Sequence, residues 1–342
     1  MNVIATRALA GLSAALAVLS AAAGAAAAAP PAYALVGKIA GPDGYWDYAS
    51  YDPASHRIYV SRDYGVMAVD LDTGAAMPKL ATGQRVHATV PLPGGKTLLT
   101  TNGETNSVAI LDAASGAALA SLPAGQGPDG AAFDPASGLV FVMNGKSGDA
   151  TLVDPLARQV VGTIPIGGEL EFPASDGQGR VYVNVADKAE VAVLDVKARA
   201  VVARYKLAGC EDPSGLAYVP GLKAVISVCD NGVAKVIGAD GTDLASLAIG
   251  KGPDAVIVDA ARKLAFVPSG YDGTLAVIDI ADRRRLAVLE EVPTGHGAHT
   301  GALDPRSGRL YLPTCDYGPP AQPGGKRPHL AGTFGVLVVA PR

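Results

Sequence analysis

The sequence is poor in charge and in aromatic side chains: of 342 residues, 18% are charged and 5% aromatic, with one Trp, five Phe and three Cys. So low a charged fraction, beside 42 Gly and 25 Pro, leaves few places for long amphipathic helices and asks for short strands with frequent turns. No Lys/Arg run exceeds Arg283-Arg284-Arg285, and the net charge is −4, which excludes broad affinity for nucleic-acid phosphates. The patterns G-x-S-x-G, C-x-x-C and H-E-x-x-H and the P-loop are all missing, so a serine-hydrolase elbow, a thiol redox pair and a zincin helix have no support. Gly125 to Gly130 does satisfy G-x-G-x-x-G. Pro128 interrupts it, no helical pattern follows, and Gly250 to Asp254 repeats its core, so it reads as a repeat link rather than a dinucleotide loop.

Long apolar runs are confined to the beginning of the chain. Arg7, the Ala/Leu/Val stretch Ala8 to Ala23, and the small-residue tract Ala21 to Ala29 ahead of Pro30 and Pro31 predict a cleaved signal peptide over residues 1–28 and export to the periplasm. No Cys stands near the cleavage region to anchor a lipid, and no later segment resembles a membrane span. Residues 29–342 are then one domain, with 27 basic against 32 acidic residues. Its three cysteines, Cys210, Cys229 and Cys315, allow at most one internal bridge.

What the chain has in abundance is self-similarity. A short apolar triplet recurs seven times, beginning at Ile58, Leu98, Val140, Val181, Val225, Ala265 and Leu310. An alternating segment closed by Asp70, Asp112, Asp154, Asp195, Gly238 and Asp279 steps by 42, 42, 41, 43 and 41 residues. A turn marker precedes each triplet at Asp52, Leu92, Asp134, Asp176, Val219, Asp259 and Asp304. Three markers in phase at this period mean propeller blades, each of four strands with period-two alternation. In the fourth unit these are Glu171 to Ser175, Arg180 to Asn184, Glu190 to Asp195 and Val201 to Leu207. The seventh unit ends after its third strand, Phe334 to Val339, whereas Tyr33 to Ile39 matches a fourth strand. The expectation is an all-β, seven-bladed propeller of four-stranded blades, its last blade closed by Tyr33 to Ile39, which removes two exposed edges.

Several segments carry a family resemblance. Asn144 to Asp154, Glu171-Phe172 with Ser175 to Asn184, Gly209 to Ala217 and Gly250 to Asp254 resemble exported bacterial YncE-like proteins, the YVTN-repeat β-propellers, over the whole mature chain. The resemblance implies a seven-bladed propeller in the periplasm and no settled chemistry. The chain departs from the family at Ala186 and at Gly297-Ala298-His299-Thr300, so no ligand is carried over from its members.

The repeat register itself places a candidate site. Five residues before each turn marker stand Asp47, His87, Asp129, Glu171, Ser214, Asp254 and His299, at the start of the innermost strand and so around the mouth of the central channel. Converging carboxylates favour a bound cation, and His87, Glu171 and His299 are the candidate ligands for a divalent metal ion as cofactor. Polar residues at a wet channel mouth also need no ligand, and an Asp after Gly-Pro caps turns. Trp46, beside Asp47, is placed either against a ligand ring or in packing between blades. His296 and His299 chelate together only if their link is irregular. Cys210 and Cys229 fall nearly opposite each other in the fifth unit and are the candidate disulfide, with Cys315 left over. Residues 317–330, rich in Pro and Gly, replace a short loop and carry Lys326, Arg327 and His329 over the mouth.

These features favour a monomeric periplasmic binding protein that holds a small molecule, a metal ion or a protein segment at the mouth. The alternatives are a lactonase-like, metal-assisted hydrolase in which His87 or His299 moves a proton, and an interaction scaffold with no channel ligand.

Overall fold

Seven antiparallel sheets of four strands each account for the repeat, in a computed structural model that describes residue 1 and residues 32–320, 322 and 327–342. The proposed leader and Lys326 lie outside the described residues. Blade one is built from Trp46–Asp52, Arg57–Arg62, Gly65–Asp70 and Ala76–Thr82, labelled strands a to d from the axis outward. Blade four, at Leu170–Ser175, Arg180–Val185, Glu190–Asp195 and Ala200–Lys206, follows the sequence expectation to within a residue. Apart from one 3-10 turn, Ala186–Lys188, no helix occurs among the described residues, and none is long and apolar enough to cross a membrane.

Strands b and c alternate apolar and small residues on both faces and are almost wholly buried. The outer strands d alternate exposed with partly buried positions. A blade cannot bury both faces alone, so the core lies between blades: Phe141 and Leu152 of blade three pack with Val183 and Leu194 of blade four, and Val228 and Val236 of blade five with Val267 and Ile278 of blade six. The marker aspartates Asp52, Asp134, Asp259 and Asp304 are buried because their carboxylates cap the a–b turns, Asp134 by accepting from the Ser137 N–H at 2.9 Å. Asp134 also accepts from the Ser175 hydroxyl of the next blade at 2.6 Å.

Blade seven consists of Ala302–Asp304, Arg309–Thr314 and Gly335–Pro341, and its outermost strand is Tyr33–Ala40. The pairing runs from Tyr33 opposite Pro341 to Ala40 opposite Gly335, so the ring is closed as expected. Tyr33 is buried and meets the Phe266 ring of blade six edge-on, centroids 4.9 Å apart.

One expectation is corrected. In blades six and seven, strand a is reduced to Ile257–Asp259 and Ala302–Asp304, so Asp254 and His299 precede the regular strand instead of starting it. Only the isolated bridge Pro253 to Ser269 continues the blade-six ladder toward the mouth.

Candidate functional site

The link into each blade sets the aim of the mouth residue. Two positions before His87, Asp129, Ser214, Asp254 and His299 the backbone is left-handed, at Arg85, Gly127, Asp212, Gly252 and Gly297, with φ between 45° and 79°. Glycine adopts this without penalty, whereas Arg85 and Asp212 give up about 1–2 kcal/mol each. In blades one to five the next step is a bulge: the a–b register shifts between Trp46 and Ala49, Val86 and Thr89, Pro128 and Ala131, Leu170 and Pro173, and Pro213 and Leu216. Each bulge holds a mouth residue, and bulges re-aim side chains out of the regular pleat.

His87 and its neighbours form the tightest cluster. Nδ1 of His87 lies 2.5 Å from Oδ2 of Asp47 and 3.9 Å from Oδ1 of Asp129. Donor atoms of Asp47, His87 and Asp129 all fall within 4.8 Å of one another. A Cβ at position 103 would stand 2.6 Å from His87 Nε2, so the imidazole has room because that residue is glycine. Oδ1 of Asp129 is buried without a hydrogen-bond partner.

The carboxylates press on one another. Burial, then the charge of Asp47, pushes the Asp129 carboxyl up to about 7, against the pull of His87 and Arg85. Burial followed by the charges of Asp129 and Asp47 raises Glu171 to about 8, and burial with Asp47, Glu171 and Asp129 holds Asp254 well above the carboxylate range. Burial opposes the charged form of His87, but its hydrogen bond to Asp47 and the charges of Asp129 and Asp47 leave its pKa raised. His299 is lowered, chiefly by burial.

Tyr48 belongs to this site, although the repeat register passes over it. It is 5% exposed, its hydroxyl makes no hydrogen bond among the described residues, and burial together with Asp254, Asp129, Glu171 and Asp47 raises its pKa well above the usual phenol value. Its ring meets Phe172 of blade four edge-on, with centroids 4.8 Å apart. Blades one and four are not neighbours, so the two rings touch across the axis and give the polar mouth an aromatic floor. The signal was present: the position after each mouth residue is Ala88, Gly130, Gly215, Ala255 or Thr300 elsewhere, and aromatic only at Tyr48 and Phe172. Beside this floor, His87, Asp129 and Glu171 line a cavity of about 550 Å³ together with Arg85, Lys146 and Glu169.

Other expected site residues are spent on structure. The Ser214 hydroxyl donates to Pro253 O at 2.8 Å, and its carbonyl accepts from buried Asn184 at 2.8 Å. The His299 ring is held by Gly297 O at 2.6 Å through Nδ1, while His296 turns away to Tyr271 O, so the two do not chelate together. Of the expected metal trio, His87 and Glu171 share the cavity, and His299 stands against Trp46 instead. Trp46 is 3% exposed, packed between Phe334, His299 and His329 at centroid distances of 5.4, 6.1 and 5.2 Å, and so is committed to packing. His329 thereby ties the long loop to blade one. That loop returns through the bridge between Tyr317 and His329. Cys210 and Cys229 form a disulfide, and Cys315 is free and buried.

No family model matches this sequence, and no curated protein matches it. Among solved structures the chain is similar to one described as Kuenenia stuttgartiensis hydrazine synthase (TM-score 0.69, 16% identity, 83% of this chain and 94% of that one). It is similar to a chain of the mitotic checkpoint complex (TM-score 0.69, 15% identity, 97% and 98%). It is also similar to the WD40 repeats of RRP9 (TM-score 0.76, 13% identity, 92% and 99%). Likeness at this identity shows the fold, a seven-bladed β-propeller.

Proposed function

We propose that this chain is an exported, periplasmic propeller of the YVTN-repeat, YncE-like kind whose channel mouth binds a cationic ligand. One observation carries the reading: Asp47, Asp129, Glu171 and Asp254, from blades one, three, four and six, converge at the mouth, where burial first and then one another's charge raise three of them above the carboxylate range. A bound cation relieves that repulsion. The leader composition and the segments resembling the family support export, and the aromatic floor supports a ligand retained at the mouth rather than one passing through.

Calorimetric titration of the purified protein at pH 8 with Zn²⁺, Ca²⁺ and 1,4-diaminobutane tests it. At least one cation is expected to bind one to one, and Glu171→Gln to weaken that binding by about tenfold or more. No binding at millimolar concentration by any of the three overturns the reading. A metal-assisted hydrolase on the same site would show lactone turnover dependent on Glu171; the binding reading expects none.

A scaffold reading is favoured by a different observation. Tyr45 and Tyr271 are 59% and 66% exposed, both near the carboxylates of the mouth, and exposed aromatics of this kind anchor protein partners. One structural neighbour is itself part of a multiprotein complex. Loss of partner capture on Tyr45→Ala with Tyr271→Ala, at unchanged cation affinity, would establish that second role.

A further inference from the structure

We infer that Asp47, His87 and Asp129 form a site for a divalent transition-metal ion at one side of the mouth, the ion replacing the proton held between Asp47 and His87. This rests on the cation-binding reading above and narrows it to an ion class and a ligand set.

The three donors sit on the first strands of consecutive blades, one, two and three, which are rigid elements rather than loops. Zinc binds imidazole nitrogen at about 2.0–2.1 Å and carboxylate oxygen at about 2.0–2.2 Å, which sets neighbouring tetrahedral donors roughly 3.3–3.5 Å apart. The present separations from His87 Nδ1, 2.5 Å to Asp47 and 3.9 Å to Asp129, bracket that value. One contact opens and the other closes by less than about 1 Å, within the reach of side-chain rotation.

One buried polar atom points to a missing partner. Oδ1 of Asp129 is buried and makes no hydrogen bond, an arrangement that is unfavourable unless something pairs with it.

The chemistry of the donors selects the ion. One imidazole and two carboxylates suit zinc and its neighbours better than calcium or magnesium, which prefer all-oxygen shells. Two carboxylates with a neutral imidazole balance a 2+ charge, and Glu171 lines the same cavity, where it or water can complete the shell. Arg85 and Lys146 are the cations of that cavity and stand outside the three-residue cluster.

The protein, stripped with chelator, is titrated with Co²⁺ and then Zn²⁺ at pH 8, with Ca²⁺ and 1,4-diaminobutane in parallel. One equivalent of Co²⁺ is expected to give the intense visible absorption of a four- or five-coordinate ion, displaced by one equivalent of Zn²⁺. Asp47→Asn, Asp129→Asn and His87→Gln should each weaken zinc by more than about 100-fold, beyond the 10–100-fold typical of outer-shell changes. Asp254→Asn should weaken it by about 10-fold at most. Thermal melts and near-ultraviolet circular dichroism confirm that the isosteric variants fold. Zinc affinity indifferent to His87→Gln, or lost equally on Asp254→Asn, overturns the three-residue assignment and leaves cation binding standing. Diamine binding without zinc binding does the same. Binding of none of these cations removes both.

Discussion

Tyr48 and Phe172, carried by blades one and four, meet edge-on across the axis with ring centroids 4.8 Å apart. In most other blades the same position holds Ala or Gly. Tyr48→Phe is expected to keep the floor and leave stability unchanged or slightly raised, since the lost hydroxyl has no partner, while weakening cation binding. Phe172→Ala is expected to cost roughly 3 kcal/mol. Urea unfolding of both variants checks this; equal destabilisation by the two would contradict it.

The stability of the cation-free protein should fall as pH rises through the neutral range. Asp129 and Glu171 titrate near 7 and 8 in the folded chain, against about 4 when unfolded. A raised carboxylate stabilises the fold fully below its unfolded value, and that contribution is lost as pH rises through the folded one. His87, also raised, loses its contribution in the same direction, and His299, lowered, opposes it only up to about 6.5, above which its contribution is complete. Carboxylates held low, such as Asp70 and Asp112, have delivered their share by about pH 5. Melting temperature should therefore decline from pH 6 to 9, less steeply in Asp129→Asn, and cation affinity should rise over the same range as protons are displaced. A melting temperature that climbs to pH 9 would contradict this.

Closure by the N-terminal strand should carry much of the stability. Tyr33 is buried against Phe266, and its N–H donates to Glu290 at 3.0 Å. Tyr33→Ala is expected to cost about 3–5 kcal/mol, and Tyr33→Phe little, because the buried hydroxyl is unpaired. Chemical denaturation measures both; a cost below about 1 kcal/mol for Tyr33→Ala would show that the blade closes without its anchor.

The bridge between Cys210 and Cys229 spans 19 positions, and closing a loop of that length stabilises by about 3 kcal/mol. Reduction, or Cys210→Ala with Cys229→Ala, should lower unfolding free energy by about 2–4 kcal/mol without changing the blade count. An unchanged denaturation midpoint under reductant would mean that the bridge does not form in solution.

The sequence was informative wherever a position repeats. Seven triplets and their turn aspartates gave the blades, the incomplete seventh unit gave the closing strand, and counting back from Asp52 or Asp134 reached the mouth residues. Relations between blades escaped it. Period-two alternation does not reveal the bulges that aim Asp47 and Glu171, and spacing carries no information on which side chains meet, so the pairing of His87 with Asp47 rather than with His299 appears only in three dimensions. Tyr48 and Phe172 stand out in the repeat only as the two aromatic residues that follow a mouth position, and their edge-on meeting appears only once the ring closes. The shortened first strands of blades six and seven are not foreshadowed by the repeat, since Pro128 and Pro213 stand where Pro253 does and open full-length strands.

The account depends on convergence of charge at the mouth, and metal content tests that most directly. Protein dialysed against Zn²⁺ and then against metal-free buffer at pH 8 should retain one ion per chain by elemental analysis. The variant combining Asp47→Asn, Asp129→Asn, Glu171→Gln and Asp254→Asn, folded by circular dichroism, should retain none. Equal retention by both proteins would place the ion elsewhere and contradict the central claim.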